Sequence, residues 1–246
     1  MTPANKIFQV YPDTTILHTA AANLFVKLAQ TAVADHGHFT VALSGGSTPQ
    51  QLYELLAQEP FCQQIPWQQV LVFWGDERHV PPDDPQSNQR MARLALLNKV
   101  PIPAENIIPM AYEASPEETA RHYETQLYTR FNGQVPRFDL ILLGLGTDGH
   151  TASLFPGTSA VTEKTRWTCT ATPLGQTLTR ITLTLPVINA AANILFLVAG
   201  ESKAAVMGQI AAQSHSQPLP AQLVNPVQGT LLWLLDKAAG QQLEIT

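Results

Sequence analysis

The feature of this sequence that most constrains its fold is a series of short apolar segments, each followed by a glycine-rich or charged loop. These segments lack the alternation of apolar and polar residues that a half-exposed strand shows, so they predict strands buried on both faces. Helical patterns separate them, and strands that alternate with helices form a mostly parallel sheet with helices on both faces. The predicted strands of this type cover residues 39–43, 70–74, 138–143, 194–199 and 231–235.

The segments between these strands predict helices. Thr48 and Pro49 are expected to be the N-cap and the first residue of one helix, since proline is favoured at the first helical position. Further helices are expected over residues 87–97, 117–131 and 201–212.

One further strand is expected over residues 180–185, where Ile and Leu alternate with Thr, as in a half-buried strand. Together the elements predict a single α/β domain over residues 1–246, with a doubly wound, mostly parallel, Rossmann-like sheet and helices on both faces. Ligands of such folds bind beyond the carboxyl ends of the strands. The glycine-rich loops of this chain follow those ends, so we expect the functional site there.

Charged residues are scarce in this chain. Lys and Arg number 14 and Asp and Glu number 19, which gives a net charge of −5. The charged fraction is 13%, against about 25% in average globular proteins. A general nucleic-acid binder needs a basic face, so the composition argues against this class. Each cation inside a motif is therefore more informative than usual.

The two cysteines, Cys62 and Cys169, lie far apart and form no CxxC or Cys/His pattern. Neither a disulfide framework nor a structural zinc site is expected. No apolar run approaches the ~18 residues that a membrane span needs, and residues 1–10 lack the pattern of a signal peptide. We expect a cytoplasmic protein that binds no membrane, metal or cofactor.

The first glycine-rich motif follows the predicted strand 39–43. Two adjacent glycines allow a ligand to approach the backbone, and the helix that follows offers free N–H groups at the positive end of its dipole. This pattern is typical of a phosphate cradle, although it is neither a Walker loop nor a dinucleotide fingerprint. A tight turn with hydroxyl caps is the other interpretation. The candidate phosphate-binding residues are Ser44, Gly45, Gly46, Ser47 and Thr48.

A cluster of charges, Asp76, Glu77 and Arg78, follows the predicted strand 70–74. Two carboxylates and an arginine at a strand end are able to form a catalytic acid/base set, or simply an exposed ion cluster.

The loop after the predicted strand 138–143 contains three glycines together with Asp148 and His150. A loop that needs so much backbone freedom commonly holds a ligand, and the near-neutral pKa of an ordinary histidine suits general-base work. The alternative is a histidine hydrogen-bonded inside a turn. The six other histidines are interpreted as surface or helix-end residues: His18, His36, His38, His79, His122 and His215.

Two isolated cations stand near strand ends. Arg180 opens the predicted strand 180–185, and Lys203 lies in the first turn of a predicted helix, where its charge opposes the helix dipole. A bound anion would remove that conflict, so Lys203 is a candidate anion ligand. A solvated surface lysine is the alternative.

Five motifs occur along the chain in a fixed order, and together they closely resemble the 6-phosphogluconolactonase family over about residues 38–235. The wider superfamily includes glucosamine-6-phosphate deaminases and isomerases. The motifs are SGGSTP at 44–49, WGDERHVP at 74–81 followed by Ser87 and Asn88, GLGTDGHTASLFPG at 144–157, RITLTLPVI at 180–188 and GESKA at 200–204.

The resemblance implies hydrolysis of 6-phospho-D-glucono-1,5-lactone to 6-phosphogluconate by a cytoplasmic monomer that needs no cofactor. It implies that His150 activates water, with Asp76 and Asp148 as catalytic partners. Either Asp76 holds a sugar hydroxyl or it orients the histidine, and Asp148 either fixes the loop or polarises the imidazole. The resemblance further implies that the 44–48 loop, Arg78, Gly149, Arg180 and Lys203 bind the phosphorylated sugar. Ser87 and Asn88 either join this site or only cap their helix.

Two other functions remain open at this point. Deaminase-type members of the superfamily carry an acidic residue before the proline of the 144–157 loop, whereas this chain has Phe155 before Pro156. The lactonase reading is therefore favoured over an amino-sugar deaminase or isomerase. A non-catalytic sugar-phosphate sensor is the other alternative, and the intact Asp-Gly-His sequence at 148–150 argues against it.

Overall fold

The computed structural model describes residues 5–212 and 217–243. Nine strands lie in this part of the chain, and they are numbered in chain order. They are β1 (Asn5–Tyr11), β2 (Phe39–Leu43), β3 (Val70–Trp74), β4 (Asp76–Arg78), β5 (Leu140–Leu143), β6 (Thr168–Ala171), β7 (Arg180–Leu183), β8 (Asn193–Val198) and β9 (Thr230–Asp236).

Six of these strands form one sheet in the order β1-β9-β8-β5-β2-β3, and every neighbouring pair is parallel. Every residue of β2 and β5 is buried, as the continuous apolar runs predicted. The predicted α/β fold with a mostly parallel sheet is therefore confirmed. That residues 1–246 form one domain stays a prediction.

A second, antiparallel sheet of three strands in the order β4-β7-β6 was not predicted. Residues 76–78, expected to be a loop after a strand, pair with β7 so that Asp76 faces Thr182 and Arg78 faces Arg180. Gly75 joins the two sheets, since its N–H donates to Leu43 and its carbonyl accepts from Leu183, both at 2.8 Å. A three-residue charged strand has no periodicity, so only its tertiary pairing specifies it.

The helices that the structure describes are seven, together with shorter 3₁₀ turns and one π-helical turn. They are α1 (Thr14–His36), α2 (Ser47–Leu56), α3 (Phe61–Gln64), α4 (Asn88–Ala92, continued by the π-helical Arg93–Leu97), α5 (Pro116–Arg130), α6 (Leu185–Ile188) and α7 (Ala204–Ala212, preceded by the 3₁₀ turn Glu201–Lys203).

The start of α2 differs from the prediction that Thr48 caps the helix. The helix begins two residues earlier, at Ser47, and the capping position is Gly46, which has φ 105° and no side chain to cap with. Glycine reaches this backbone conformation at low cost. As a result, the first-turn N–H groups of α2 meet no capping side chain.

Candidate active site

A cavity of about 250 Å³ opens where the loops after β2, β5 and β8 meet the antiparallel sheet. The position agrees with the rule that open parallel sheets bind ligands beyond the carboxyl ends of their strands. Two predicted site residues, Asp148 and Gly149, do not line it. The ten other predicted site residues line this cavity: Ser44, Gly45, Gly46, Ser47, Thr48, Asp76, Arg78, His150, Arg180 and Lys203.

A buried tyrosine holds the 44–48 loop in place. The Tyr53 hydroxyl accepts from the N–H of Ser44 and donates to its carbonyl, each at 2.9 Å. Burial raises the pKa of Tyr53 far above its ordinary value, so the hydroxyl stays protonated. A β-carbon on Gly45 would overlap the Asn88 side chain, which explains the glycine at that position. The loop is thus rigid and presents backbone N–H groups at the positive end of α2.

Two arginines lie side by side on this cavity. Arg78 and Arg180 are directly opposite each other on the antiparallel strands β4 and β7, an arrangement that is unfavourable for like charges. The Nε atom of each guanidinium is buried and has no hydrogen-bond partner. Burial, and after it the charge of Arg78, lowers the pKa of Arg180, while Asp76 opposes the shift. A bound anion would offset the repulsion and satisfy both donors.

Lys203 brings a third cation to the same cavity from the 3₁₀ turn before α7. Within residues 5–212 and 217–243, none of Arg78, Arg180 and Lys203 forms an ion pair with a carboxylate. The three cations line the same cavity as the 44–48 loop, although the protein has a net charge of −5. This combination of free cations and backbone N–H groups is suited to a dianion such as a phosphate ester.

His150 faces the cavity from the loop after β5, and Asp148 orients it. The carboxylate Oδ1 of Asp148 lies 2.6 Å from Nδ1 of His150 and 3.2 Å from its backbone N. Nδ1–H is therefore the donor, and in the neutral ring Nε2 keeps its lone pair. Burial raises the pKa of Asp148, but the hydrogen bonds and charge of His150 outweigh it and lower that pKa overall. Asp148 thus acts behind the histidine.

Phe155 packs between the histidine and one arginine. Its ring centroid lies 4.4 Å from that of His150 and 5.0 Å from the Arg180 guanidinium carbon. The side chain is buried. The position before Pro156 therefore contributes an aromatic contact to both groups and no carboxylate. The sequence singled out Phe155 only because it is not an acidic residue, and did not predict its contacts with His150 and Arg180.

Asp76 lines the cavity, whereas its neighbour Glu77 does not. Glu77 is buried and accepts hydrogen bonds from the N–H groups of Arg78, Asn88 and Gln89 and from the Ser87 hydroxyl. Burial raises the pKa of Glu77 despite these bonds. Glu77 therefore holds the start of α4 in place, and the predicted acid/base pair reduces to a single carboxylate in the cavity.

Two polar residues contact Asp76: Ser153, which the sequence had not assigned to the site, and Asn88, for which the site and a helix cap were both open. Ser153 donates to Asp76 Oδ2 at 2.6 Å, and Asn88, which lines the cavity, donates to the Asp76 carbonyl at 3.0 Å. Ser87 is the N-cap of α4, where it accepts from the N–H of Arg90. In the sequence, only the position of Ser153 within the 144–157 motif and of Asn88 just after the 74–81 motif indicated that they belong to the site.

Among the other histidines, the surface prediction is wrong for His18. It is buried, and its Nε2 contacts the carbonyl of Thr48 at 3.0 Å, which supports the 44–48 loop. His215 lies outside the described residues. Within the described ranges, no cluster of three His, Cys, Asp or Glu side chains has the arrangement of a metal site.

Comparison with known proteins gives a match between residues 12–233 and the family described as glucosamine-6-phosphate isomerases/6-phosphogluconolactonase. The chain belongs to this family. Relatives in the glucosamine-6-phosphate isomerase/6-phosphogluconolactonase family include the 6-phosphogluconolactonase of Synechocystis sp., which is 52% identical over 217 residues, covering 86% of this chain and 88% of the relative. The 6-phosphogluconolactonase of Nostoc sp. is 45% identical over 246 residues, with 98% and 99% coverage.

Solved structures of the family have the same fold. The 6-phosphogluconolactonase from Trypanosoma cruzi superposes with a TM-score of 0.87 at 30% identity, covering 100% of this chain and 99% of that one. A monomeric glucosamine-6-phosphate deaminase superposes with a TM-score of 0.78 at 19% identity, covering 97% and 100%. At this identity, the second likeness shows the fold alone. In the part of the chain that the structure describes, no helix is long and apolar enough to span a membrane.

Proposed function

We propose that this chain hydrolyses 6-phospho-D-glucono-1,5-lactone to 6-phosphogluconate. One observation carries the proposal. His150, whose Nδ1 is bonded to Asp148, shares a cavity of about 250 Å³ with the N–H groups of the 44–48 loop and with three cations that form no ion pair with any described carboxylate. A phosphorylated sugar lactone has a dianion at one end and an electrophilic carbonyl at the other. The relatives from Synechocystis sp. and Nostoc sp. are 6-phosphogluconolactonases, which supports this substrate.

In the proposed reaction, His150 Nε2 removes a proton from water as the water oxygen forms a bond to C1 of the lactone. The tetrahedral intermediate collapses by breaking the bond between C1 and the ring oxygen, and the imidazolium returns the proton to that oxygen. Water is the nucleophile, so no covalent enzyme intermediate is needed. Asp148 keeps the ring in the reactive tautomer and stabilises its charged form.

The phosphate end of the substrate binds to the 44–48 loop, Arg78, Arg180 and Lys203. Binding of the dianion neutralises the facing arginines and places C1 near His150, so contacts remote from the carbonyl contribute to its orientation. Gly149 lies behind the cavity, and its carbonyl accepts from the N–H of Ala221 at 3.0 Å. Its part is to hold the loop that carries His150.

Asp76 makes no hydrogen bond to His150, and Asp148 already fills the histidine's Nδ1. We therefore assign Asp76 to a sugar hydroxyl and Asp148 to the histidine. The single-domain organisation over residues 1–246, the monomeric state and the cytoplasmic location stay predictions, as does the absence of a cofactor.

The direct test is hydrolysis of the lactone by the purified protein, followed as acid release at constant pH. We expect a rate well above the spontaneous one. Unphosphorylated glucono-1,5-lactone is the matched control. Its kcat/KM is expected to be at least about 10²-fold lower, because each lost charge-assisted hydrogen bond is worth about 1.5–3 kcal/mol. Ammonia release from glucosamine 6-phosphate, or binding of the lactone without turnover, would overturn the proposal.

Replacing Asp148 with alanine is expected to lower kcat about 10-fold and to leave KM within about twofold, because a positioned general base contributes about 10²–10⁴-fold and the variant keeps the imidazole. The reduction reflects the lost tautomer control and the lost counter-charge for the imidazolium. Initial rates over a range of lactone concentrations give both constants. An unchanged kcat would remove Asp148 from the mechanism.

A further inference from the structure

Ser153 connects the loop that carries His150 to the carboxylate on the other side of the cavity. Its side chain is completely buried, and its hydroxyl donates to Asp76 Oδ2 at 2.6 Å. Its own backbone N–H donates to the Thr182 hydroxyl at 3.2 Å, and Thr182 is the cross-strand neighbour of Asp76. The loop is therefore attached to the antiparallel sheet at the point where Asp76 enters the cavity.

The Asp76 carboxylate is held from two sides. Ser153 occupies Oδ2, while the Asn88 amide contacts the backbone carbonyl of Asp76 at 3.0 Å and lies 3.4 Å from Oδ1. Asp76 is only 6% exposed and forms no ion pair with a described residue. At this burial, the side-chain rotamer is determined by its hydrogen-bond donors. The strongest of them is the short bond from Ser153.

We propose that Ser153 is a positioning residue that fixes the orientation of Asp76 toward a hydroxyl of the bound sugar. This role rests on the proposed function, because it requires that Asp76 binds the substrate of the lactone reaction. The same bond fixes the distance between Asp76 and the His150 loop. A sugar ring held by Asp76 thus presents C1 to the histidine in one geometry. Misplacement of a reacting group by about 1 Å is sufficient to cost about 10²-fold in rate.

A double-mutant cycle with Ser153→Ala, Asp76→Ala and the two combined tests this proposal. Ser153→Ala is expected to lower kcat/KM about 10- to 100-fold, since it leaves Asp76 buried with one donor fewer. If Ser153 acts through Asp76, adding Ser153→Ala to Asp76→Ala has no further effect beyond about twofold. Multiplied effects in the double variant, or an unchanged kcat/KM in Ser153→Ala, would overturn the proposal.

A second measurement separates positioning from loss of folding. Inorganic phosphate is expected to raise the Tm of Ser153→Ala as much as that of the unchanged protein, because the cations and the 44–48 loop are intact. Thr184→Val is the matched control, because it also removes a fully buried hydroxyl. The Thr184 hydroxyl donates to the Arg166 carbonyl at 2.7 Å, and Thr184 does not line the cavity. We expect its kcat/KM to be unchanged. A comparable loss of kcat/KM in Thr184→Val would refute the specific role of Ser153. If the protein without substitutions did not hydrolyse the lactone, the proposed function would be refuted instead.

Discussion

Replacing His150 with alanine is expected to lower kcat for lactone hydrolysis by about 10²–10⁴-fold, the usual contribution of a positioned general base. The side chain is the cavity-lining group with a free ring nitrogen, and Asp148 holds that nitrogen toward the cavity. The proposed phosphate contacts do not include the imidazole, so affinity for 6-phosphogluconate is expected to stay within about threefold. Rates corrected for spontaneous hydrolysis, together with calorimetric titration of the product, give the two values.

His122 provides the control for this substitution. Its Nδ1 also contacts a carboxylate, that of Glu113, but it lies on the exposed side of α5 and does not line the cavity. His122→Ala should therefore keep the full kcat. Activity of His150→Ala within a few-fold of the unchanged protein would exclude His150 as the base.

Replacing Arg180 with methionine is expected to raise KM by about 10- to 100-fold with a smaller change in kcat, because charge-assisted hydrogen bonds are worth about 1.5–3 kcal/mol. Methionine is an unbranched side chain without charge, so the substitution removes the guanidinium together with its contact to the Phe155 ring. In the absence of ligand, the Tm is expected to stay equal or to rise, since the substitution also removes the repulsion between Arg78 and Arg180. The increase in Tm on adding phosphate should shrink.

This pair of Tm values distinguishes a phosphate ligand from a structural arginine. Arg121→Met is the control, since Arg121 is exposed on α5 and does not line the cavity. A structural role for Arg180 would lower the Tm of the ligand-free variant and preserve the response to phosphate. An unchanged KM would remove Arg180 from the phosphate site.

The parallel sheet was predictable because burial on both faces leaves a plain signal. Strands 39–43 and 70–74 match the structure at both ends, and those of 231–235 and 194–199 differ by about one residue. The long helix α1 was missed although it has clear boundaries: Asp13 accepts from the N–H of Ile16, and Gly37 ends the helix at φ 87°. Its buried residues recur every three or four positions, but several of them are alanines, which weaken the contrast between the apolar and polar faces in the sequence.

The membership of the site was largely predictable, whereas the direction of each side chain was not. Loops that follow neighbouring parallel strands must meet at one edge, so the motifs located the cavity. Whether a carboxylate enters it depends on tertiary contacts. Asp76 and Glu77 are adjacent, and alternation along β4 turns one toward the cavity and the other toward α4. The partnership of Ser153 with Asp76 spans 77 positions and has no counterpart in local sequence.

The division of the site between two sheets has a consequence for which substrates fit. His150 follows a strand of the parallel sheet, while Arg78 and Arg180 lie on the antiparallel one, and Gly75 joins the two through backbone bonds to both. The 44–48 loop follows a parallel strand, so the proposed phosphate site takes its groups from both sheets. The distance between its two arginines and His150 therefore depends on how the two sheets pack. The packing of the two sheets thus determines which length of sugar phosphate fits the proposed site. Substitutions at the rim of the cavity change how tightly a ligand is held, but a longer or shorter carbon chain would require the two sheets to pack differently.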